Sequence, residues 1–402
     1  MADLTFTFAP TMTSIDRTEW DALAAPYGTP FYFWGFLALL EESGSVVPEN
    51  GWTPLHLLAR RDGRLVAAAP LYAKTASWGE FVYDFQFASV AKANNIPWYP
   101  KLVGIIPLTP APLWRVLVAA GEDEGAISGL FLDAALEAAR ASDFGGFHVL
   151  WPAPEMAALI RSRQASGANG RFAAWEHQTF LWTDSGYRDF GGYLAAFSKN
   201  MRRNVLRERS GLDASGLSRR MIEAGEAASV PGLLARMADF YESTNDKFGP
   251  WAAKFLTRDF FLRLPEFLPE GWVLGAAFDG EADSASAKDP LGLSFLLKGD
   301  RGLWGRYWGS SRFEAGLHFE LCYYLPIEWA LSKGLAFFDP GIGSEHKARR
   351  GFQSVLAPSF HRVFDPRLAR AVERSLAEAN RAEEAGIRAL NEELPFKISQ
   401  LP

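Results

Sequence analysis

Gly271-Trp272-Val273-Leu274-Gly275-Ala276-Ala277-Phe278-Asp279-Gly280 reads as an apolar strand closed by an Asp-Gly turn. It has a counterpart in the first half of the chain. There Gly51-Trp52 opens Leu55-His56-Leu57-Leu58-Ala59, and Asp62-Gly63 supplies the turn. After the earlier copy, strands are expected over 65–73 and over Phe81-Val82-Tyr83-Asp84-Phe85, joined at Ser77-Trp78-Gly79. After the later copy, a turn extended by the polar insert 281–289 leads to strands over 291–297 and 303–308. Each half is therefore a three-strand meander with Asp-Gly and other glycine-containing hairpin turns. Such self-similarity at long separation indicates a duplicated fold.

The flanks repeat as well. A helix is expected over 31–42 ahead of the first meander, and helices over 238–248 and 257–264 ahead of the second. Each meander is followed by a helix and a short apolar strand, Phe147-His148-Val149-Leu150-Trp151 in one half and Leu335-Ala336-Phe337-Phe338-Asp339 in the other. Meander, helix and strand in that order make an α+β acyltransferase core. A basic helix is expected over 193–209, and a helical tail from 366 to about 390. The expected partition is an N-terminal domain over 1–185, a C-terminal domain over 186–366 carrying the site, and a tail over 367–402.

Composition narrows the function classes. The chain has 402 residues, 48% apolar and 22% charged, which suits a folded core and excludes a disordered or collagen-like chain. With 41 basic and 47 acidic residues its formal charge is −6, so no general affinity for DNA is expected. A single cysteine, Cys322, precludes an internal disulfide and any multi-cysteine zinc site, and no metal is expected. The N-terminus lacks a basic region followed by an apolar one, and the apolar run 31–40 is about half a membrane span. A cytoplasmic protein is expected, with peripheral membrane contact left open.

Four constellations carry chemistry. The strand-to-helix junction Gly305-Arg306-Tyr307-Trp308-Gly309-Ser310-Ser311-Arg312 places Tyr307, Trp308, Ser310 and Arg312 ahead of a helix N-terminus, where an anion is stabilised. On that helix His318 and Cys322 share a face at i, i+4, while Glu320 lies off it; a histidine ordinarily titrates near neutral pH, which makes His318 a candidate general base or else a residue that only caps or packs. In a second stretch, a strand delivers Asp339 into a glycine-containing loop with Glu345, His346 and Lys347 in a row, which offers acid, base and cation together. The third is the basic helix with Lys199, Arg202, Arg203 and Arg207, able to follow phosphates or to be only a solvated face. Finally, Asp84 stands in an aromatic stretch, where it must pair with a cation or line a cleft.

These stretches, together with Leu65 to Tyr72, Tyr99-Pro100-Lys101 and His318-Phe319-Glu320-Leu321-Cys322-Tyr323-Tyr324, resemble the FemAB-like predicted N-acyltransferases of the GNAT superfamily. That family is often labelled peptidoglycan biosynthesis or recognition. The resemblance implies two tandem GNAT-like domains, each a mixed, mostly antiparallel sheet flanked by helices. It implies transfer of an acyl or aminoacyl group to an amine, with an acyl-CoA, an acyl carrier or an aminoacyl-tRNA as donor. The acceptor would be an amine on a small molecule, a lipid or a peptide. In GNAT proteins the donor lies where two adjacent strands splay apart, which here means strands 303–308 and 335–339. The implied base is one of His318, Glu320, Glu345 or His346; Asp84, Arg202, Arg203, Tyr307, Trp308, Ser310, Arg312 and Lys347 would bind substrate or donor. Two stretches depart from the family pattern. Ser310 to Gly316 only approximates the acetyl-CoA loop, and Ile342-Gly343-Ser344 stands where Ala-Gln-Gly is usual. The alternative is a GNAT-fold binding module without catalysis, holding a cell-wall or amino-acid ligand.

Overall fold

A computed structural model of the chain describes residues 4–165, 171–249, 252–280, 289–343 and 345–397. Most of the expected insert, 281–288, and Ser344 lie outside the described residues. In chain order the strands are β1 (Thr5–Ala9), β2 (Trp52–Pro54), β3 (His56–Arg61), β4 (Arg64–Ala69), β5 (Leu71–Lys74), β6 (Lys101–Gly104), β7 (Leu117–Val118) and β8 (Gly146–Val149). They continue as β9 (Ala173–Thr183), β10 (Leu217–Glu223), β11 (Trp272–Asp279), β12 (Gly292–Lys298), β13 (Gly302–Ser310), β14 (Phe337–Asp339) and β15 (Gln353–Val363).

The chain divides into two compact units. The first holds Met1–Tyr27, Phe31–Gln178 and Leu356–Gly386; the second holds Gly28–Pro30, Thr179–Val355 and Ile387–Pro402. The crossings at 178/179 and 355/356 fall inside β9 and β15. The segment 367–402, expected as a separate tail, is divided: the helix Pro366–Glu392 belongs to the first unit up to Gly386 and to the second from Ile387.

In the first unit the Asp62-Gly63 turn joins β3 and β4 with both residues at positive φ, 51° and 81°, the geometry a two-residue hairpin demands. The expected strand 65–73 is broken into β4 and β5 at Pro70, which has no N–H for a ladder. β5 and β6 are antiparallel and β6 and β8 parallel. The stretch 81–85 is not a strand. It is a loop running into the helix Phe85–Ala93, because Glu80 and Asp84 turn inward to a buried Lys101 instead of alternating across a sheet. The helix Glu124–Ala141, capped by Asp123 accepting from the Ala126 amide at 2.9 Å, buries Ile127, Phe131, Leu132, Ala135, Leu136 and Ala139 at helical spacing.

The second unit carries the expected meander β11-β12-β13, with β10 antiparallel at its edge and β14 parallel to β13. The expected basic helix is two helices, Phe190–Ala196 and Lys199–Ala214, separated at Phe197-Ser198. Side chains alternate across the central sheet. Phe295 of β12 meets Phe260 and Phe261 of the helix Arg258–Phe267, while Leu296 faces a core with Val205, Tyr323 and Ile327. The fold class is thus the expected one, α+β, two tandem GNAT-like units with mixed, mostly antiparallel sheets flanked by helices. A parallel strand pair occurs in each, β6 with β8 and β13 with β14.

β13 lies tight against the helix Leu233–Asp246. A Cβ on Gly309 would stand 2.4 Å from the Phe240 carbonyl oxygen, a backbone atom that cannot swing away. Gly309→Ala is expected to cost about 1–3 kcal/mol by urea unfolding. Gly225→Ala, in a helix where a Cβ meets nothing within 4 Å, is expected to cost nothing.

Candidate active site

The second unit contains a cavity of ≈ 480 Å³ lined by residues of β12, β13, the helical segment after Gly316, and the loop after β14. It originates in the strand ladder. β13 and β14 pair only over Gly302↔Phe337, Leu303↔Phe338 and Trp304↔Asp339. Beyond Asp339 the chain enters Pro340, which has no N–H, and turns at Gly341 with φ 81°. On β13 the register with β12 jumps from Phe295↔Tyr307 to Leu296↔Gly305, which leaves Arg306 as the extra residue of a β-bulge. The strands therefore part. Gly305, Arg306, Tyr307 and Trp308 wall one side of the gap, and Pro340, Ile342 and Gly343 the other.

The third wall is helical. After a single α-turn, Leu317–Phe319, the backbone widens to a π-turn over Glu320–Tyr324 before the helix Leu325–Ser332 resumes. A π-turn brings residues five apart together, and His318 and Tyr323 have ring centroids 5.5 Å apart. Both line the cavity with Cys322, and the His318 ring sits 4.6 Å from that of Trp308. The Ser294 hydroxyl donates to the Leu321 carbonyl at 2.7 Å and anchors the π-turn to β12. Phe248, exposed, closes the lining at the surface.

Cations dominate the electrostatics of the interior. The Lys347 ammonium donates to the carbonyls of Gly341 and Ile342 at 2.8 and 2.9 Å. Burial brings its pKa down to about 8, with Asp339 opposing the shift and Arg306 adding to it. Arg306 reaches Asp339 at 3.4 Å, and Asp339 also accepts from the Gly341 amide at 2.7 Å. Burial, reinforced by Arg350, Lys347 and His346, takes His318 down to about 4, so it is neutral near pH 7. The Cys322 thiol is pushed up by burial, which makes it a poor nucleophile. Among the described residues that line it there is no Asp or Glu.

Of the residues singled out in the sequence, Tyr307, Trp308, His318 and Lys347 meet in this cavity. Glu320 does not line it. It is buried in an ion cluster, accepting from Arg209 at 2.9 Å with Arg219 at 3.6 Å, and burial raises its pKa against both arginines. Glu345 and His346 are exposed on the 3-10 turn Glu345–Arg350. Ser310 ends β13 paired with Gly292, and Arg312 is held by Asp279 at 2.8 Å and Glu314 at 3.3 Å. Arg202 and Arg203 stand on the helix Lys199–Ala214. Asp84 belongs to the first unit, bonded to Lys101 at 2.5 Å and to Ser77 and Trp98. Arg306 and Tyr323 stood in the quoted stretches without an assigned role, and Phe248 only closed an expected helix. The bulge that turns Arg306 inward has no signature beyond its neighbouring glycine, and Phe248 carries none. Among the described residues no cluster of His, Cys, Asp or Glu could hold a metal, and no helix is long and apolar enough to cross a membrane.

The first unit supplies a contrast. Its parallel pair, β6 and β8, ends at Gly104 and Val149, and the following Ile105, Ile106, Leu150 and Trp151 are all buried. The Trp114 indole lies against Gly104, where a Cβ would be 2.6 Å away, and donates to the Pro70 carbonyl at 2.8 Å. The position that is hollow in the second unit is packed solid in the first.

Unfolded, Lys347 has an ordinary value near 10.5, so the folded chain holds this proton less firmly. Sites of that kind make folding more favourable as pH rises between the two values. The stability of the protein relative to Lys347→Met is accordingly expected to increase from about pH 8 to about 10.5, and to be flat below that window, by urea unfolding across a pH series.

Residues 11–398 match the FemAB-like family, described as peptidoglycan biosynthesis/recognition. Among solved structures, FemX superposes with a TM-score of 0.52 at 13% identity, covering 89% of this chain and 98% of FemX. A conserved protein of unknown function from Bacteroides thetaiotaomicron VPI-5482 gives 0.50 at 10% identity, covering 90% of this chain and all, 100%, of that one. A tandem GNAT protein from the clavulanic acid biosynthesis pathway gives 0.43 at 13% identity, covering 90% and 98%. No curated protein matches the sequence.

Proposed function

The chain belongs to the FemAB-like family, and on that premise we propose that it is a transferase that moves an aminoacyl or acyl group onto an amine within the cavity of the second unit. The observation that carries the reading is the gap between β13 and β14, walled by a neutral histidine and a buried lysine. An amine nitrogen attacks the carbonyl carbon of an ester or thioester donor, and the carbonyl oxygen takes the negative charge. Lys347 and Arg306, both buried, stabilise that oxyanion as preorganised cations. His318, neutral near pH 7, accepts the proton released by the amine. Its imidazolium, disfavoured by burial and by Arg350 and Lys347, passes the proton on to the departing oxygen or sulfur. No covalent enzyme intermediate is needed.

Among donors we favour an aminoacyl ester of tRNA over acyl-CoA. A pyrophosphate would have to sit at the loop ahead of Gly316, where Arg312 is already held by Asp279 and Glu314 and the α-turn that follows spans only Leu317–Phe319. The favoured acceptor is an amine of a peptidoglycan precursor, in line with the family description.

The test incubates the purified protein with charged tRNAs, acyl-CoAs and acyl carrier proteins, each with a muramyl-peptide amine, and reads the product by mass spectrometry. Transfer from charged tRNA is the expected result. Ligand binding with no transfer from any donor would leave a binding module and overturn the proposal. Lys347→Ala is expected to lower kcat/KM by about 10²–10³-fold. The cation is lost as pH rises through its pKa, so the wild-type rate is expected to fall above about pH 8 and the Lys347→Arg rate to keep its value there.

A further inference from the structure

In the first unit, three aromatic rings project from one short segment that the fold holds rigidly. Trp78, Tyr83 and Phe85 are 51%, 64% and 42% exposed. They nevertheless form a cluster, with ring centroids 5.9 Å apart for Trp78 and Phe85 and 6.4 Å for Tyr83 and Phe85. Isolated exposed rings are ordinary, whereas a contiguous group of three marks a contact surface.

The segment between the rings is tied down from beneath. Lys101, fully buried, donates to Ser77 at 2.9 Å, to Glu80 at 2.8 Å and to Asp84 at 2.5 Å. The Ser77 hydroxyl also bonds that of Tyr99 at 2.7 Å, Trp98 donates to Asp84 at 3.2 Å, and Trp151 donates to the Glu80 carbonyl at 2.8 Å. A second buried lysine, Lys74, donates to the Trp78 carbonyl at 3.2 Å and rests 3.4 Å from the centroid of the Trp52 ring. Buried ion clusters contribute little net stability, and their best-attested use is to fix one arrangement. Here the arrangement fixed is a loop in which Ser77, Glu80 and Asp84 face inward and Trp78, Tyr83 and Phe85 face out.

We propose that Trp78, Tyr83 and Phe85 form a docking surface for the interfacial layer of a lipid bilayer. Two observations select this occupant. The acids of the stretch from Thr75 to Pro100 are Glu80 and Asp84, both buried, and its exposed charge is Lys92, so in an acidic chain this stretch presents no negative charge of its own. The polar groups Ser77, Glu80 and Asp84 are consumed internally, and the exposed polar side chains that neighbour the rings in sequence, Thr75 and Gln86, are uncharged. Trp and Tyr, with an apolar body and a polar tip, suit the headgroup boundary, and ring insertion drives binding without a basic patch.

The test is co-sedimentation of the full chain with phosphatidylcholine vesicles and with vesicles containing phosphatidylglycerol. Binding to both, little changed by high salt, is expected, with Trp78→Ser/Tyr83→Ser/Phe85→Ser partitioning about tenfold more weakly, roughly the loss of one ring's burial or more. The three rings are exposed, so the variant is expected to melt as the wild type does, and a circular-dichroism melt checks this. Absence of vesicle binding overturns the proposal, as does equal binding by the triple variant. Binding only to the anionic vesicles and abolished by salt also overturns it. So does loss of self-association, and not of vesicle binding, in the triple variant, because the face would then join two copies of this chain.

Discussion

Three residue pairs of parallel ladder hold β13 to β14, and everything proposed for the second unit follows from the ladder stopping there. Two unrelated local events end it together. Pro340 removes the donor that would continue β14, and the bulge at Arg306 takes β13 out of step with β12. Either alone would leave a frayed edge that neighbouring side chains could fill. With both, the strands diverge by enough to open a cavity, and the polar backbone between Gly305 and Trp308 loses its partner strand on that side. The Arg306 and Asp339 pair bridges the base of the opening. Asp339 also accepts from Gly341, so the same carboxylate steers the loop that carries Lys347's two carbonyl partners.

The first unit shows how the alternative is built. It has a parallel pair of similar length, but the residues beyond it are large and apolar, and Trp114 packs on Gly104 with its N–H satisfied by the Pro70 carbonyl. A filled splay contributes to the core; an open one forgoes that burial. Dispersion and hydrophobic gains from an indole are large enough that an open site is retained only against a stability gradient. The two units therefore differ at this position, one closed and the other open.

Much of the fold was legible. The Asp-Gly turn at Asp62-Gly63 and the meander through β11, β12 and β13 were readable because both are local: a turn type fixed by two residues, and alternation within a strand. β9 and β15 were missed because their partners are distant in the chain, and residues such as His177, Ser359 and His361 interrupt the apolar run. The same reason explains the misreading of 81–85. Its alternation of aromatic and acidic residues resembles a strand, and only Lys101, many residues later, draws the acids inward.

The site was legible in residue type and less so in membership. Glu320 and His318 are two residues apart and have opposite fates: one is buried among arginines, the other faces the cavity. Sequence spacing anticipated that they would part, but the π-turn that adds Tyr323 to the His318 side has no sequence signature. Lys101 and Lys347 make the point more sharply. Both are buried lysines beside carboxylates. Two acids hold Lys101 charged and above its ordinary range, whereas Lys347 meets two carbonyls, a distant acid and a competing arginine, and falls below its own. The first is a structural clamp because its charge is fully answered. The charge of the second is not, and that difference is set by geometry that no inventory of lysines, acids and histidines contains.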